Sequence, residues 1–263
     1  MNLSTYKKSI LLISISSCFF LLLFFALYSY TLKQEKSDYE ITTADFKKEI
    51  ESLLKSNWAS YENQIEDMSF WDDFVKYTHQ KDEKWFDFYV GTAIDVYDLD
   101  LVSVYDLKGN LINAKTRNNS DKDIIPKEFF PLLYQKKYLN FFTKHNNRVY
   151  KVFASTIHPS NDPKKTLSPP SGYFFMALCL DENYFKKLQH ISSAQSCAIF
   201  FTDIKPDSKN VQYTKVLNNW KGNQIGKFHF SKKHHRDFTT SKIILRVIII
   251  AFILNLLILI YFF

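Results

Sequence analysis

Apolar residues run unbroken at both ends of the chain and alternate with polar ones through its middle. Residues 10–30, ILLISISSCFFLLLFFALYSY, carry no charge over twenty-one positions. A helix needs about 20 residues to cross ~30 Å of hydrocarbon. Residues 243–263, IILRVIIIAFILNLLILIYFF, form a second such run. Its one charge, Arg246, stands near the start, where a long side chain reaches the interface. From Thr31 to Met68 there is neither glycine nor proline, and Leu54, Trp58, Tyr61, Ile65 and Met68 recur at steps of four and three. That heptad seam predicts a long helix continuing outward from the first run. The seam packs either on the domain behind it or on the same helix of a second copy.

Downstream, SFWDDFVKYTHQKDEKW at 69–85 predicts a short helix opened by Ser69 as cap, with Asp72 pairing with Lys76 one turn on. A further helical piece covers about 82–97. The period then changes to two. Residues 101–106 and 110–116 alternate around Lys108-Gly109-Asn110 and predict a hairpin. A short helix near PKEFFPLLYQ and a second hairpin over 137–156 follow. Residues 158–171 hold four of the seven prolines and predict an exposed loop. GYFFMALCL is a strand, DENYFKKLQHISS a helix, and CAIFFTD, VQYTKVL and GKFHFSK three more strands. Helices segregated from mixed antiparallel strands define an α+β domain. The order strand–strand–helix–three strands is that of a PAS-like sheet, with a long N-terminal helix and an apolar helix on each flank.

The domain boundaries follow: a cytoplasmic tail over 1–9, transmembrane helices over 10–30 and 243–263, and an extracytoplasmic domain over 31–242 with its core at 45–200. A cleaved signal peptide is the competing reading of the first run, but the run is long and bulky FALYSY stands where the cut would fall. A glycolipid-anchor signal competes for the second, against Arg246 and its length. Lys7 and Lys8 place the N-terminus in the cytoplasm. The expectation is a two-pass protein of the inner (plasma) membrane, in contact with the lipid bilayer, with most of the chain outside.

Charge adds little to this picture. The net charge is +7, and setting aside Lys7, Lys8 and Arg246 leaves the outer segment with an excess of four positive charges, too balanced to imply nucleic acid. KKHHR at 232–236 reads as attraction to anionic headgroups. The histidines lack metal-ligand spacing, so no metal and no cofactor are expected. Asp72 and Asp73 are helix neighbours pointing about 100° apart, so they cannot serve one substrate atom, and no catalytic residues are assigned. Asp72 is read as capping or hydrogen-bonding within the outer domain and so locking the long helix to the sheet, a ligand contact being the alternative, and Asp106 as a turn residue accepting backbone bonds. Cys179 and Cys197 sit in apolar strands and read as buried thiols, a disulfide being the alternative. Aromatic residues make up 17% of the chain, which is high. Phe141, Phe153 and Phe175 are candidates to line a ligand pocket on the sheet.

One stretch carries a family likeness. WDDFVKY at 71–77, Trp85 and LDLVSVYDLKGNLINA at 99–114 resemble the fourth type of CHASE domain. These are extracellular sensor domains of membrane-bound histidine kinases and diguanylate cyclases. The matching positions are Trp71, Asp72, Tyr77, Trp85, Asp106 and Gly109, and the likeness spans roughly 45–200. It implies a sensor that detects a small molecule or an environmental signal. No cyclase or kinase signature occurs in the sequence, so the expected output module is separate or missing. Asn255, in the second apolar run, predicts a homodimer through a polar contact between helices. The alternative is a membrane-anchored docking protein that senses nothing.

Overall fold

The structure, a computed structural model, describes residues 5–117, 122, 124–204, 207, 210–234 and 239–262; the side chains at 5–7, 9, 10, 239, 255 and 258–262 are not part of the description. In chain order the helices are α1 (Thr5–Met68), α2 (Asp72–Gln80), α3 (Glu83–Tyr89), α4 (Ala93–Val96), α5 (Phe130–Lys136, entered through a 3-10 turn Lys127–Phe129), α6 (Glu182–His190) and α7 (Thr239–Phe262). The strands are β1 (Leu101–Tyr105), β2 (Leu111–Thr116), β3 (Tyr138–His145), β4 (Arg148–Ile157), β5 (Gly172–Cys179), β6 (Ser196–Phe200), β7 (Asn210–Asn218) and β8 (Gln224–Lys233). The chain forms two compact units. Residues 46–207 and 212–232 make the larger, and residues 1–45, 208–211 and 233–263 the smaller.

The larger unit is built on a five-stranded sheet in the order β2-β1-β5-β4-β3. Every pairing in it is antiparallel. This is the mixed α+β, PAS-like arrangement that the order of elements predicts. Strand side chains alternate between faces, and both faces are buried. On one, Leu101, Tyr105, Phe141, Val152, Ala154 and Phe175 form a core with Phe129, Phe130 and Leu133 of the α5 segment. On the other, Phe153 stacks on Tyr61 of α1 with ring centres 5.5 Å apart, and Phe174 meets Phe74 of α2 at 5.1 Å.

The heptad seam is thereby spent within the chain. Leu54, Trp58 and Ile65 are buried, and Phe46 and Ile50 extend the stripe toward the N-terminus. Polar contacts fix the same helix: the Ser193 N–H and hydroxyl both donate to Glu49, each at 2.7 Å, and the Tyr213 hydroxyl donates to Glu51 at 2.9 Å. Packing against its own domain is therefore the reading the structure bears out for this seam.

Several local expectations are corrected. Ser69 does not cap α2. Its hydroxyl donates to the Glu66 carbonyl at the end of α1, and Trp71 holds the cap position without a side-chain bond. Lys76 pairs with Asp73 at i, i+3 (2.9 Å) rather than with Asp72. The helical piece at 82–97 is two helices, broken at 90–92; Asp82 caps the first by accepting from the amides of Lys84 and Trp85. The sequence leaves the sheet partners of β6, β7 and β8 unassigned. They form a second sheet in the order β6-β8-β7.

The hairpins β1–β2 and β7–β8 turn on the same device. Asp106-Leu-Lys-Gly-Asn110 and Asn219-Trp-Lys-Gly-Asn223 share their last three residues. In the first, the Asp106 carboxylate accepts from the amides of Lys108 and Asn110 at 2.9 and 2.8 Å. In the second, the Asn219 side-chain oxygen accepts from Lys221 and Asn223 at 3.0 and 2.9 Å. Gly109 and Gly222 take φ of +76° and +84°, the left-handed region open to glycine.

In the smaller unit, the N-terminal part of α1 and α7 lie side by side. Phe252 packs against Phe20 and Phe24, at 6.0 and 5.9 Å between ring centres. Arg246 donates to the Tyr28 hydroxyl at 3.4 Å, Lys242 pairs with Glu35, and His234 meets Asp38 at 3.1 Å. Rising numbers on α1 meet falling numbers on the C-terminal segment, so the pair is antiparallel. Among the described residues α1 is the helix long and apolar enough to cross a membrane. The Asn255 side chain, and His235 and Arg236 of the basic cluster, lie outside the described residues.

Candidate functional site

The residues that carry the family likeness assemble into one aromatic pad and one turn. Trp85 of α3 stacks on Tyr77 of α2 at 5.1 Å and meets Trp71 at 5.4 Å. Phe74 joins Trp85 at 5.6 Å and carries the pad onto β5. Burial pushes the Tyr77 hydroxyl up to about 12. Asp72 is exposed, and its carboxylate accepts from the Ser160 amide at 3.0 Å while the Ser160 hydroxyl accepts from the Asp72 amide at 3.2 Å. This reciprocal pair ties α2 to the loop after β4. Asp106 and Gly109 form the β1–β2 turn, directly against the Phe130 ring. The arrangement holds two helices and a hairpin on the sheet.

Beneath that loop lies a buried polar knot. Lys165 donates to the hydroxyls of Ser69 (2.7 Å) and Ser155. Asp162 accepts from the amides of Thr166, Leu167 and Ser168 at 2.8, 3.0 and 2.9 Å. Burial alone would raise the Asp162 pKa, but these donors hold it well below the usual carboxylate range. Burial pushes Lys165 down to about 8 against the pull of Glu66 and Asp162. Every one of these groups is engaged with another, so the knot closes the loop onto α1 and β4 and offers no face to a ligand.

A second polar cavity of about 100 Å³ lies beside Asp98, Asp100, Arg117 and Lys187. Its charges are likewise spoken for. Asp98 pairs with both Arg117 and Lys187, and Asp100 accepts from the Cys179 amide at 2.7 Å. Cys179 and Cys197 are buried and unbridged. Burial pushes each thiol up to about 12, which leaves them inert. Among the described residues no cluster of His, Cys, Asp and Glu could hold a metal.

A third site is different in kind. A cleft of about 460 Å³ lies along the edge strand β3, between α1 and the β7–β8 hairpin, and is open to solvent. Its walls include Trp58, Asn140, Phe142, Lys151, Lys215 and Trp220. Trp58 is set by the helix: its indole N–H donates to the Tyr184 hydroxyl at 3.0 Å, and that hydroxyl donates to Asn57. Phe142 meets Trp58 edge to face at 5.6 Å. Lys151 projects from β4 on the Phe153 face, 3% exposed, with its ammonium 4.5 Å from the Phe142 ring centre and 4.9 Å from that of Trp58. The Lys215 ammonium lies 5.7 Å from the same indole. Burial pushes Lys151 down to about 8, with Glu62 opposing and Lys215 adding to the shift.

Of the three phenylalanines proposed as pocket lining, Phe141 borders this cleft. Phe175 is fully buried beneath Phe129 and Phe130, in space already filled. Phe153 faces the opposite side of the sheet. Lys151, Lys215 and Trp220 were not singled out from the sequence. The one local signal was a lysine at an inward position of the alternating strand VYKVFAST.

The larger unit is thus a PAS-like antiparallel sheet backed by one long helix, with an aromatic and cationic cleft at its edge. The CHASE4 domain profile matches residues 53–196, and the chain belongs to that family of extracytoplasmic sensor domains. The fold is similar to a crystal structure of the periplasmic domain of Vibrio cholerae LuxQ, with a TM-score of 0.51 at 9% identity over 73% of this chain and 100% of that one. The selenomethionine form of that domain gives 0.53 at 10% identity over 73% and 98%. Among curated proteins none matches the chain.

Proposed function

We propose that the protein is a two-pass membrane sensor whose outer domain, residues 31–242, detects a small molecule or an environmental signal and passes the change across the bilayer to a signalling module. The observation that carries this reading is α1 itself. One helix holds both the uncharged run 10–30 and the seam buried against the sensor sheet. A change in that packing has a continuous, hydrogen-bonded path inward. The antiparallel partner α7 supports a second crossing and supplies the reference against which α1 moves. Lys7 and Lys8 favour a cytoplasmic N-terminus. Pairing of two copies through Asn255 belongs to the same proposal, because an amide in hydrocarbon is stabilised by a partner across a helix interface.

A ligand shifts two states only by binding them unequally, so sensing and transmission are separable measurements. The full chain, reconstituted in nanodiscs with Cys18 replaced by serine, is given cysteines at Phe24 and Phe252. A small-molecule library is screened by thermal melting, and the rate of disulfide formation between the two helices is then read with each stabilising compound. The expected result is a compound that raises the melting temperature and changes the crosslinking rate together. Stabilisation without any change at the helices would refute transmission. No stabilising compound, with a tight protein partner instead, would favour a docking role.

A further inference from the structure

Lys151 is a buried cation without an acid beside it. Among the described residues no carboxylate lies within ion-pair distance of its ammonium; it donates to the Asn140 side-chain oxygen. Glu62 reaches it only through a relay, since the Asn140 amide nitrogen donates to Glu62 at 2.8 Å. The rings of Phe142, Trp58 and Phe153 supply cation–π attraction at 4.5, 4.9 and 5.5 Å. Among the described residues Asn140 is its one oxygen partner, and burying a charge without full pairing is costly. A second cation, Lys215, shares the Trp58 ring and repels the first. Both line the same open cleft, and among the described residues no acid is in its walls.

Apart from Asn140, Asn218 and Asn219, the other lining side chains are apolar. Phe142 and Trp58 form one wall, and Trp220 packs edge to face on Phe129 at 5.9 Å to form another. The volume, about 460 Å³, is that of a small-molecule site. Building on the sensor reading above, we propose that this cleft binds a small organic carboxylate carried on a flat apolar body. Lys151 and Lys215 take the carboxylate, Asn140 holds the Lys151 ammonium in place, and Trp58, Phe142 and Trp220 take the body. The site joins the two sheets, because Lys151 belongs to β4 and Lys215 to β7. The hairpin partner of β7 is β8, which precedes α7 in the chain. A ligand held by both lysines therefore fixes the second sheet against the first.

The full chain in nanodiscs is titrated with benzoate, phenylacetate and indole-3-acetate, with the neutral amides of the same three bodies, and with inorganic phosphate. Melting and tryptophan emission are followed. The expected result is saturable stabilisation by at least one carboxylate, little or none by its amide or by phosphate, and an apparent affinity weakened about tenfold or more by Lys151→Met. Lys215→Met weakens it as well, and Lys151→Arg keeps part of it. Lys151→Met removes a buried charge and retains the length of the side chain, so its unliganded melting temperature shows that it folds. No response to any carboxylate, an equal response to acid and amide, or a response unchanged in Lys151→Met overturns the assignment. A response to phosphate alone also overturns it, in favour of an inorganic anion. Stabilisation by neutral compounds that survives Lys151→Met leaves sensing intact and removes only this site.

Discussion

At the scale of single residues, the domain concentrates its unusual chemistry in two buried lysines with opposite surroundings. Lys165 is enclosed by hydroxyls and a loop that carries Asp162, so its proton serves the fold. Lys151 stands at the wall of a cleft among rings. The ordinary lysine value of 10.5 is pushed down to about 8 at Lys151 by burial and by Lys215, with Glu62 pulling upward. Below about pH 8 both folded and unfolded chains carry the proton, and the penalty is constant. Between about 8 and 10.5 the unfolded chain keeps a proton that the folded chain has released, so stability contributed at this site rises with pH. Lys151→Met should melt above the wild type at pH 7, by on the order of 1–3 kcal/mol. That lead should shrink as pH climbs from 8 to 10. Paired melting curves across this range check it, and a constant lead would show that Lys151 is not desolvated.

At the scale of elements, the twin turns give a controlled comparison. Gly109 and Gly222 have nearly the same backbone angles. A Cβ at Gly109 would stand 2.9 Å from the Phe130 ring, whereas one at Gly222 would meet nothing within 4 Å. Gly222→Ala should therefore cost only the left-handed strain, about 1 kcal/mol. Gly109→Ala should cost about 2–3 kcal/mol, because a core ring must also shift. Denaturant unfolding of the two variants measures the difference, and equal costs would mean that Phe130 gives way freely. The same turns show what was legible. Period-two alternation and Lys108-Gly109-Asn110 disclosed the first hairpin to within a residue, because register and turn chemistry are local. Ser69 was misread because its hydroxyl is claimed by Ser155 and Lys165, residues far along the chain. The separation of β6–β8 into their own sheet was not legible, since alternation sets which side of a strand is buried and not which strand it pairs with. The cleft was hidden for the same reason. Trp58, Asn140, Lys151, Lys215 and Trp220 come from a helix, two strands of one sheet and a hairpin of another, and no local spacing joins them.

At the scale of the whole molecule, the central claim is that a sensor domain lies outside the membrane between two crossings. Family membership establishes the extracytoplasmic sensor domain, and the apolar stretch of α1 is long and apolar enough to cross a membrane. The two-pass path rests on the antiparallel pairing of α7 with that stretch. Cysteine accessibility in intact cells tests it most directly. In a Cys18→Ser background, Cys179 and Cys197 are buried and silent in the folded protein. A cysteine is placed at Glu128, which is exposed on the sensor unit, at Asn2, or immediately after Phe263. A membrane-impermeant maleimide should label Glu128→Cys in intact cells, and the other two only after permeabilisation. Protection of Glu128→Cys until the membrane is broken, or labelling of either terminus in intact cells, would contradict the topology on which sensing across the bilayer depends.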